Sequence, residues 1–197
     1  MTDSQSDAAI AVDDYAATVA SVVGGSVEPA VDTVKVSVPA SGWVSALTAA
    51  RDDLGLVFFS WLAGVDWTND VAVGDPPAEE VDQRIEILCT VADVTDGRRV
   101  TFSTSLDWEN PVIDSLVAVY PGANWHERET AEMLGVEFLG HPDPGHLYLP
   151  DSFLGNPLRK SYKLLSREVK PWPGTVDVEA MPGGDDDDAP ATENPEA

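Results

Sequence analysis

The sequence is poorest in the residues that hold redox groups and nucleic acids. It has one cysteine, Cys89, three histidines and eleven Lys and Arg against 35 Asp and Glu in 197 residues. A single thiol excludes an internal disulfide, a CxxC redox pair and an iron–sulfur cluster ligated by this chain alone. Cys89 stands in the apolar run Ile85-Glu86-Ile87-Leu88-Cys89-Thr90-Val91, where a buried structural thiol is expected and a reducing cytoplasm fits. A net charge of −24 argues against nucleic acid and against direct docking on anionic lipid. Long apolar runs are also missing. The longest charge-free apolar stretch, Leu54 to Val65, is shorter than the roughly 20 residues a membrane helix needs. The first positive charge is Lys35, so the N-terminus lacks the basic region of a secretory signal. The expectation is a soluble chain whose membrane association comes through a partner.

What is present suffices for one core, with 43% hydrophobic residues. Residues 1–12 are small and polar and are expected to be disordered. A short helix is predicted over Asp13–Val23, stopped by Gly24-Gly25. Val34–Val38 alternates with period two and reads as a strand. Ser41 is a candidate cap for a helix with Val44, Leu47, Arg51 and Leu54 on one stripe and Gly55 past its end. Leu56–Val65 reads as a central strand, and residues 69–83 as a loop. Gln83–Val94 and Arg98–Ser105 flank Thr95-Asp96-Gly97, a hairpin signal. Asn110-Pro111 suggests a helix start, with Val112, Ile113, Leu116 and Val117 as its apolar positions. Tyr120-Pro121-Gly122 would end it. Asn124 and Glu127 have capping-box spacing for the next helix, which Gly135 ends. Residues 139–160 hold four prolines and three glycines, too many for helix or central strand.

These elements predict an α+β fold with a mixed or antiparallel sheet and helices on one face. The expected organisation is a domain over 13–138, an extended Pro/Gly-rich partner-binding segment over 139–174 and a disordered acidic tail over 175–197. Residues 171–197 carry eight acidic side chains and no Lys or Arg, whereas Arg159, Lys160, Lys163, Arg167 and Lys170 crowd together just before them.

Glu127, Arg128, Glu129 and Glu132 lie within six positions, and Arg128–Glu132 has the spacing of a helical ion pair. A solvated, capped surface helix accounts for these charges. Yet Trp125, Ala131, Met133 and Leu134 form no single stripe. That pattern points to a helix packed on two sides, with some charges buried against a partner's charges.

The series Glu127-Arg128-Glu129, Glu132-Met133, Gly140-His141-Pro142, Leu149-Pro150-Asp151, Gly155 and Pro157-Leu158-Arg159-Lys160-Ser161-Tyr162 resembles the C subunit, or 30 kDa subunit family, of the proton-pumping NADH–quinone oxidoreductase, respiratory complex I. Lys170-Pro171-Trp172-Pro173-Gly174 looks like members from high-GC Gram-positive bacteria. Leu134, where an aromatic is usual, Pro144-Gly145-His146 and Asn156 depart from the family pattern. The resemblance implies a peripheral-arm subunit without cofactor of its own, on the cytoplasmic side of the membrane. Its partners are the B and D subunits, which carry the terminal cluster and the quinone cavity. FMN and the iron–sulfur clusters belong to partner subunits, and quinone is met only indirectly. Subunit-interface roles are thereby implied for Glu127, Arg128, Glu129, Glu132, His141 and Pro142, and for Pro150, Asp151, Gly155, Pro157, Arg159 and Lys160.

Other chemistries fit less well. His126-Glu127 starts like a zinc-protease helix, but the second histidine of HExxH is replaced by Thr130. Gly24-Gly25 and Gly183-Gly184 lack GxGxxG spacing, and no Ser or Cys lies in a nucleophile elbow. Four consecutive aspartates, Asp185–Asp188, lack the spaced ligands of a calcium loop. The rival readings are the equivalent subunit of a membrane-bound hydrogenase or of a ferredoxin- or F420-fed complex, and a free-standing hydrolase using the Glu-rich helix.

Overall fold

Two long antiparallel strands occupy the middle of the sheet, β4 (Arg84–Ala92) and β5 (Arg99–Asp107). The computed structural model of the chain describes residues 14–30, 33–68 and 82–163, all of them within the compact unit Met1–Leu164. The expected hairpin turn is present. Gly97 has a φ of 76°, which suits glycine alone at little cost. Asp93 Oδ1 accepts from the Thr95 amide and hydroxyl and braces the turn. Along β4, Ile85, Ile87, Cys89 and Val91 are fully buried, as one face of a pleated strand predicts.

The strand β2 (Val34–Ser37) runs parallel to β5, from Val34 opposite Val100 to Ser37 opposite Ser103. An antiparallel neighbour, β1 (Ser26–Glu28), lies on its other side. With β3 (Phe58–Asp66) antiparallel to β4, the order is β1-β2-β5-β4-β3, a mixed sheet. Among the described residues three helices cover one face: α1 (residues 14–23), α2 (Trp43–Asp52) and α3 (Ala123–Leu134). Their Val19, Leu47 and Leu134 join Val36, Val100 and Phe102 in one core. The α+β fold is therefore as expected.

Several details differ. Ser41 does not cap α2; it lies in a single 3-10 turn, Ala40–Gly42, and Gly42 precedes the helix without a side-chain bond. The buried stripe is Trp43, Ala46, Leu47 and Ala50. Large and small apolar side chains at helical spacing outweigh the cap signal. The strand read as central is an edge. Phe58 and Trp61 are 52% and 37% exposed, because among the described residues only one face of β3 has a helix against it. A bulge separates Phe59 from Trp61. Beyond it, His126 Nδ1 lies 3.1 Å from the Leu62 carbonyl and 3.4 Å from its amide, closing part of the free edge.

No helix forms after Asn110-Pro111. Asp107 Oδ1 takes the amides of Glu109 and Asn110, and the chain continues as β6 (Val112–Asp114). This strand pairs in parallel with β7 (Glu137–Leu139), burying Ile113 and Phe138. Two adjacent β-branched residues favour the extended form once a partner strand exists. The expectations for residues 1–12, for most of the 69–83 loop and for the 175–197 tail lie outside the described residues.

Candidate functional site

The motif residues gather on α3 and on the segment that follows β7. Gly122 precedes α3 and makes no capping bond. The expected Asn124–Glu127 box does not form, because the helix begins at Ala123 and turns Glu127 inward in its second turn. Glu127 is fully buried. Its carboxylate accepts from the Leu116 amide and the Ser115 hydroxyl, each at 2.6 Å, and so ties α3 to the end of β6. Burial pushes this carboxyl above its usual range, against the pull of Ser115, Leu116 and His141. His141 Nε2 lies 3.9 Å from Glu127 Oε2 and 3.2 Å from the Asn124 carbonyl. The Asp143 amide donates to its Nδ1.

From Gly140 onward the chain runs along α3 as a strap, residues 140–163, without helix or strand. The expected Arg128–Glu132 ion pair is absent, since both side chains turn to the strap. Arg128 donates to the carbonyls of Gly145 and His146, each at 2.8 Å. Glu132 accepts the amides of Leu147, Tyr148 and Leu149. Burial raises the Glu132 carboxyl, but these three amides overcome it and hold the group below the ordinary carboxylate range. The helix is thus packed on two sides, as its mixed stripe required. The second layer described is the chain's own strap.

Asp66, at the end of β3, receives the far end of the strap. Its Oδ2 accepts the Lys160 amide at 2.9 Å, and its Oδ1 accepts Trp108 Nε1 and the Thr68 hydroxyl. Arg159 donates to the Leu134 and Trp108 carbonyls, with its guanidinium 5.1 Å from the centroid of the Trp108 ring. Lys160 Nζ reaches the Thr68 carbonyl. Gly155, at φ 91°, lies so close to Tyr162 that a Cβ would meet its ring at 2.9 Å. Pro157 is half-buried, Glu129 is partly exposed, and Pro142, Pro150 and Asp151 are exposed.

Most inward-facing motif residues therefore bond to backbone of their own chain. Sequence reasoning missed Asp66, Trp108 and Ser115. A carboxylate at the end of an apolar strand, in Val65-Asp66-Trp67, was the available signal for the first. The outer surface keeps apolar side chains: Trp125 on α3 and Tyr148, Leu154 and Leu158 on the strap are all more than half exposed. Among the described residues no group of three or more His, Cys, Asp or Glu is placed to hold a metal ion. Burial, with Glu127 nearby, pushes the Cys89 thiol up and away from thiolate chemistry. No helix among the described residues is long and apolar enough to cross a membrane.

Comparison with known proteins agrees with this picture. The family model for the respiratory-chain NADH dehydrogenase 30 Kd subunit matches residues 36–168. The NADH-quinone oxidoreductase C subunit of Moorella thermoacetica is 33% identical over 138 residues, covering 70% of this chain and 85% of that protein. Its counterpart in Roseiflexus sp. is 36% identical over 60% of this chain, which spans 63% of the relative. The counterpart in Salinispora tropica is 37% identical over 58% of this chain and 43% of its own length. The fold is shared with a trypsin-resistant fragment of Nqo5, at a TM-score of 0.55 and 20% identity over 66% of this chain and 97% of the fragment. It is also shared with a chain of the membrane-bound sulfane sulfur reductase, an archaeal respiratory membrane complex, at a TM-score of 0.62 and 16% identity, over 85% of this chain and 98% of that one. With the family model matched over most of its length, the chain belongs to the 30 kDa subunit family of the respiratory-chain NADH dehydrogenase.

Proposed function

We propose that this chain is a cofactor-free peripheral-arm subunit of a proton-translocating NADH–quinone oxidoreductase, working by fitting onto neighbours that carry the redox groups. The observation that carries this reading is the family motif laid out on α3 and on the strap beside it, with Tyr148, Leu154 and Leu158 facing outward. Apolar side chains grouped on an exposed surface are characteristic of protein contacts. The outward motif residues Glu129, Pro142, Pro150, Asp151, Gly155 and Lys160 form the contact surface, and the inward ones support it from beneath. The partners are the B and D subunits, on the cytoplasmic side of the membrane. Residues 139–174 are the partner-binding segment. Electrons pass from NADH through flavin and clusters of other subunits to quinone, and this chain has no activity alone.

The test is affinity purification of the tagged chain from its own host under mild detergent. Co-purification of cluster-bearing and quinone-site subunits, lost when Tyr148, Leu154 and Leu158 are changed to Ser, is the expected result. A chain that emerges alone, coloured or catalytically active refutes the proposal. The likeness to the sulfane sulfur reductase chain favours one second reading, a related complex with another electron donor. An NADH-binding flavoprotein among the co-purifying chains decides for the first.

A further inference from the structure

We propose that the strap and the last turn of α3 form one cooperative unit, already closed in the free chain and able to open without the sheet. The last four carbonyls of any helix lack an intrahelical partner. In α3 these belong to Ala131, Glu132, Met133 and Leu134. The first accepts the Gly135 amide at 2.8 Å, in a left-handed cap at φ 72°. The strap supplies the other three. Asn156 Nδ2 donates to Glu132 at 3.0 Å, the Leu158 amide to Met133 at 3.0 Å and Arg159 Nε to Leu134 at 2.6 Å. Arg159 also brings a positive charge to the negative end of the helix dipole.

The dependence runs both ways. Bonds of the strap to itself are isolated single turns, such as Phe153 to Pro150 and Arg159 to Asn156. Apart from the His141 amide, which donates to the Phe138 carbonyl of β7, the rest of its bonded amides and carbonyls face α3 or Asp66. Packing repeats the coupling, because the room left by Gly135 is filled by Asn156. A Cβ at that glycine would lie 2.7 Å from Asn156 Oδ1. Opening the strap leaves three helix carbonyls without these donors, and fraying the helix end removes the strap's acceptors. Neither change breaks a ladder bond between β2, β5, β4 and β3. A segment with its own closed set of bonds opens with its own free energy, below that of the whole domain.

This inference concerns the free chain and stands apart from the choice of partners. Hydrogen exchange with mass spectrometry on the purified full-length chain tests it. The amides of Leu147, Tyr148, Leu149, Leu158 and Lys160 are expected to exchange at least about tenfold slower than unprotected amides, given charge-assisted acceptors at Glu132 and Asp66. In Arg159→Ala, these amides and those of Leu134 and Gly135 speed up together by about tenfold. Those of Ile87, Val91 and Phe102 keep their wild-type rates. Should the variant not fold, wild-type exchange in rising sub-denaturing urea decides instead: strap and helix end are expected to share one opening curve, ahead of the sheet. Unprotected strap amides in the wild type overturn the proposal. So does a strap that opens while Leu134 and Gly135 stay protected, or a sheet that opens with it.

Discussion

Glu127 offers the sharpest discrimination between a charge that meets a partner and an acceptor that holds this chain together. In the structure its two oxygens serve the Leu116 amide and the Ser115 hydroxyl, and none of its surface is exposed. Glu127→Gln keeps one oxygen for Leu116, and its amide group can donate to Ser115 once that hydroxyl turns. The variant loses a charge-assisted bond and also the penalty of a buried carboxylate. Its stability is expected within about 1 kcal/mol of wild type. Glu127→Leu has similar volume but leaves the buried Leu116 amide without an acceptor, while Ser115, which is half-buried, turns to water. One orphaned donor costs about 1–3 kcal/mol. At about 2 kcal/mol, the melting temperature falls by roughly 4–8 °C for a protein of this size. The assay is urea unfolding at pH 7, followed by fluorescence and circular dichroism and paired with thermal melts. Equal losses in Gln and Leu would refute the reasoning and restore the charge itself as the important property. Two neutral variants would refute it as well.

Two further predictions follow from the same interior. Gly64 on β3 lets α3 approach closely, and a Cβ there would lie 2.5 Å from Leu134 Cδ1 and 3.1 Å from Thr130 Cγ2. Gly64→Ala is therefore expected to destabilise by about 1–3 kcal/mol in urea titration, and adding Leu134→Val should recover part of the loss. For pH, Glu132 and Glu127 act with opposite sign. The folded pKa of Glu132 is lowered, so its contribution is complete above its unfolded value of about 4.3 and is lost as pH falls through the folded one. The folded pKa of Glu127 is raised, so stability declines as pH rises from the unfolded value through the folded one. Unfolding free energies measured from pH 3 to 7 should lose the acid-side slope in Glu132→Gln and the opposing slope in Glu127→Gln. Curves that superimpose on wild type would count against both assignments.

Much of the fold was legible because local patterns and tertiary packing agreed. The β4–β5 hairpin carries period-two alternation and an Asp-Gly turn, and both survive in the structure. The α3 stop at Gly135 was readable for the same reason, a left-handed cap that glycine fills. Errors arose where a local signal competed with a distant partner. Asn110-Pro111 looks like a helix start until β7 supplies a strand beside Val112–Asp114. Leu56–Val65 looks central until its outer side is seen to meet the His126 ring rather than another strand. The motif itself was visible, but not the direction its charges face. Arg128, Glu132 and Arg159 bond main-chain atoms far along the chain, and backbone leaves no trace in a residue pattern.

The parallel pairing of β2 with β5 bears on how the protein is made. Residues 34–37 emerge from the ribosome long before their neighbours at 100–103 exist. Until then Val34 and Val36 are exposed apolar residues with no sheet to join. Non-local pairings of this kind close slowly, and unpaired apolar strands are prone to aggregate while they wait. The β4–β5 hairpin, whose strands follow each other directly, is the natural nucleus, so a truncation before residue 107 removes the template onto which the N-terminal strands must fold.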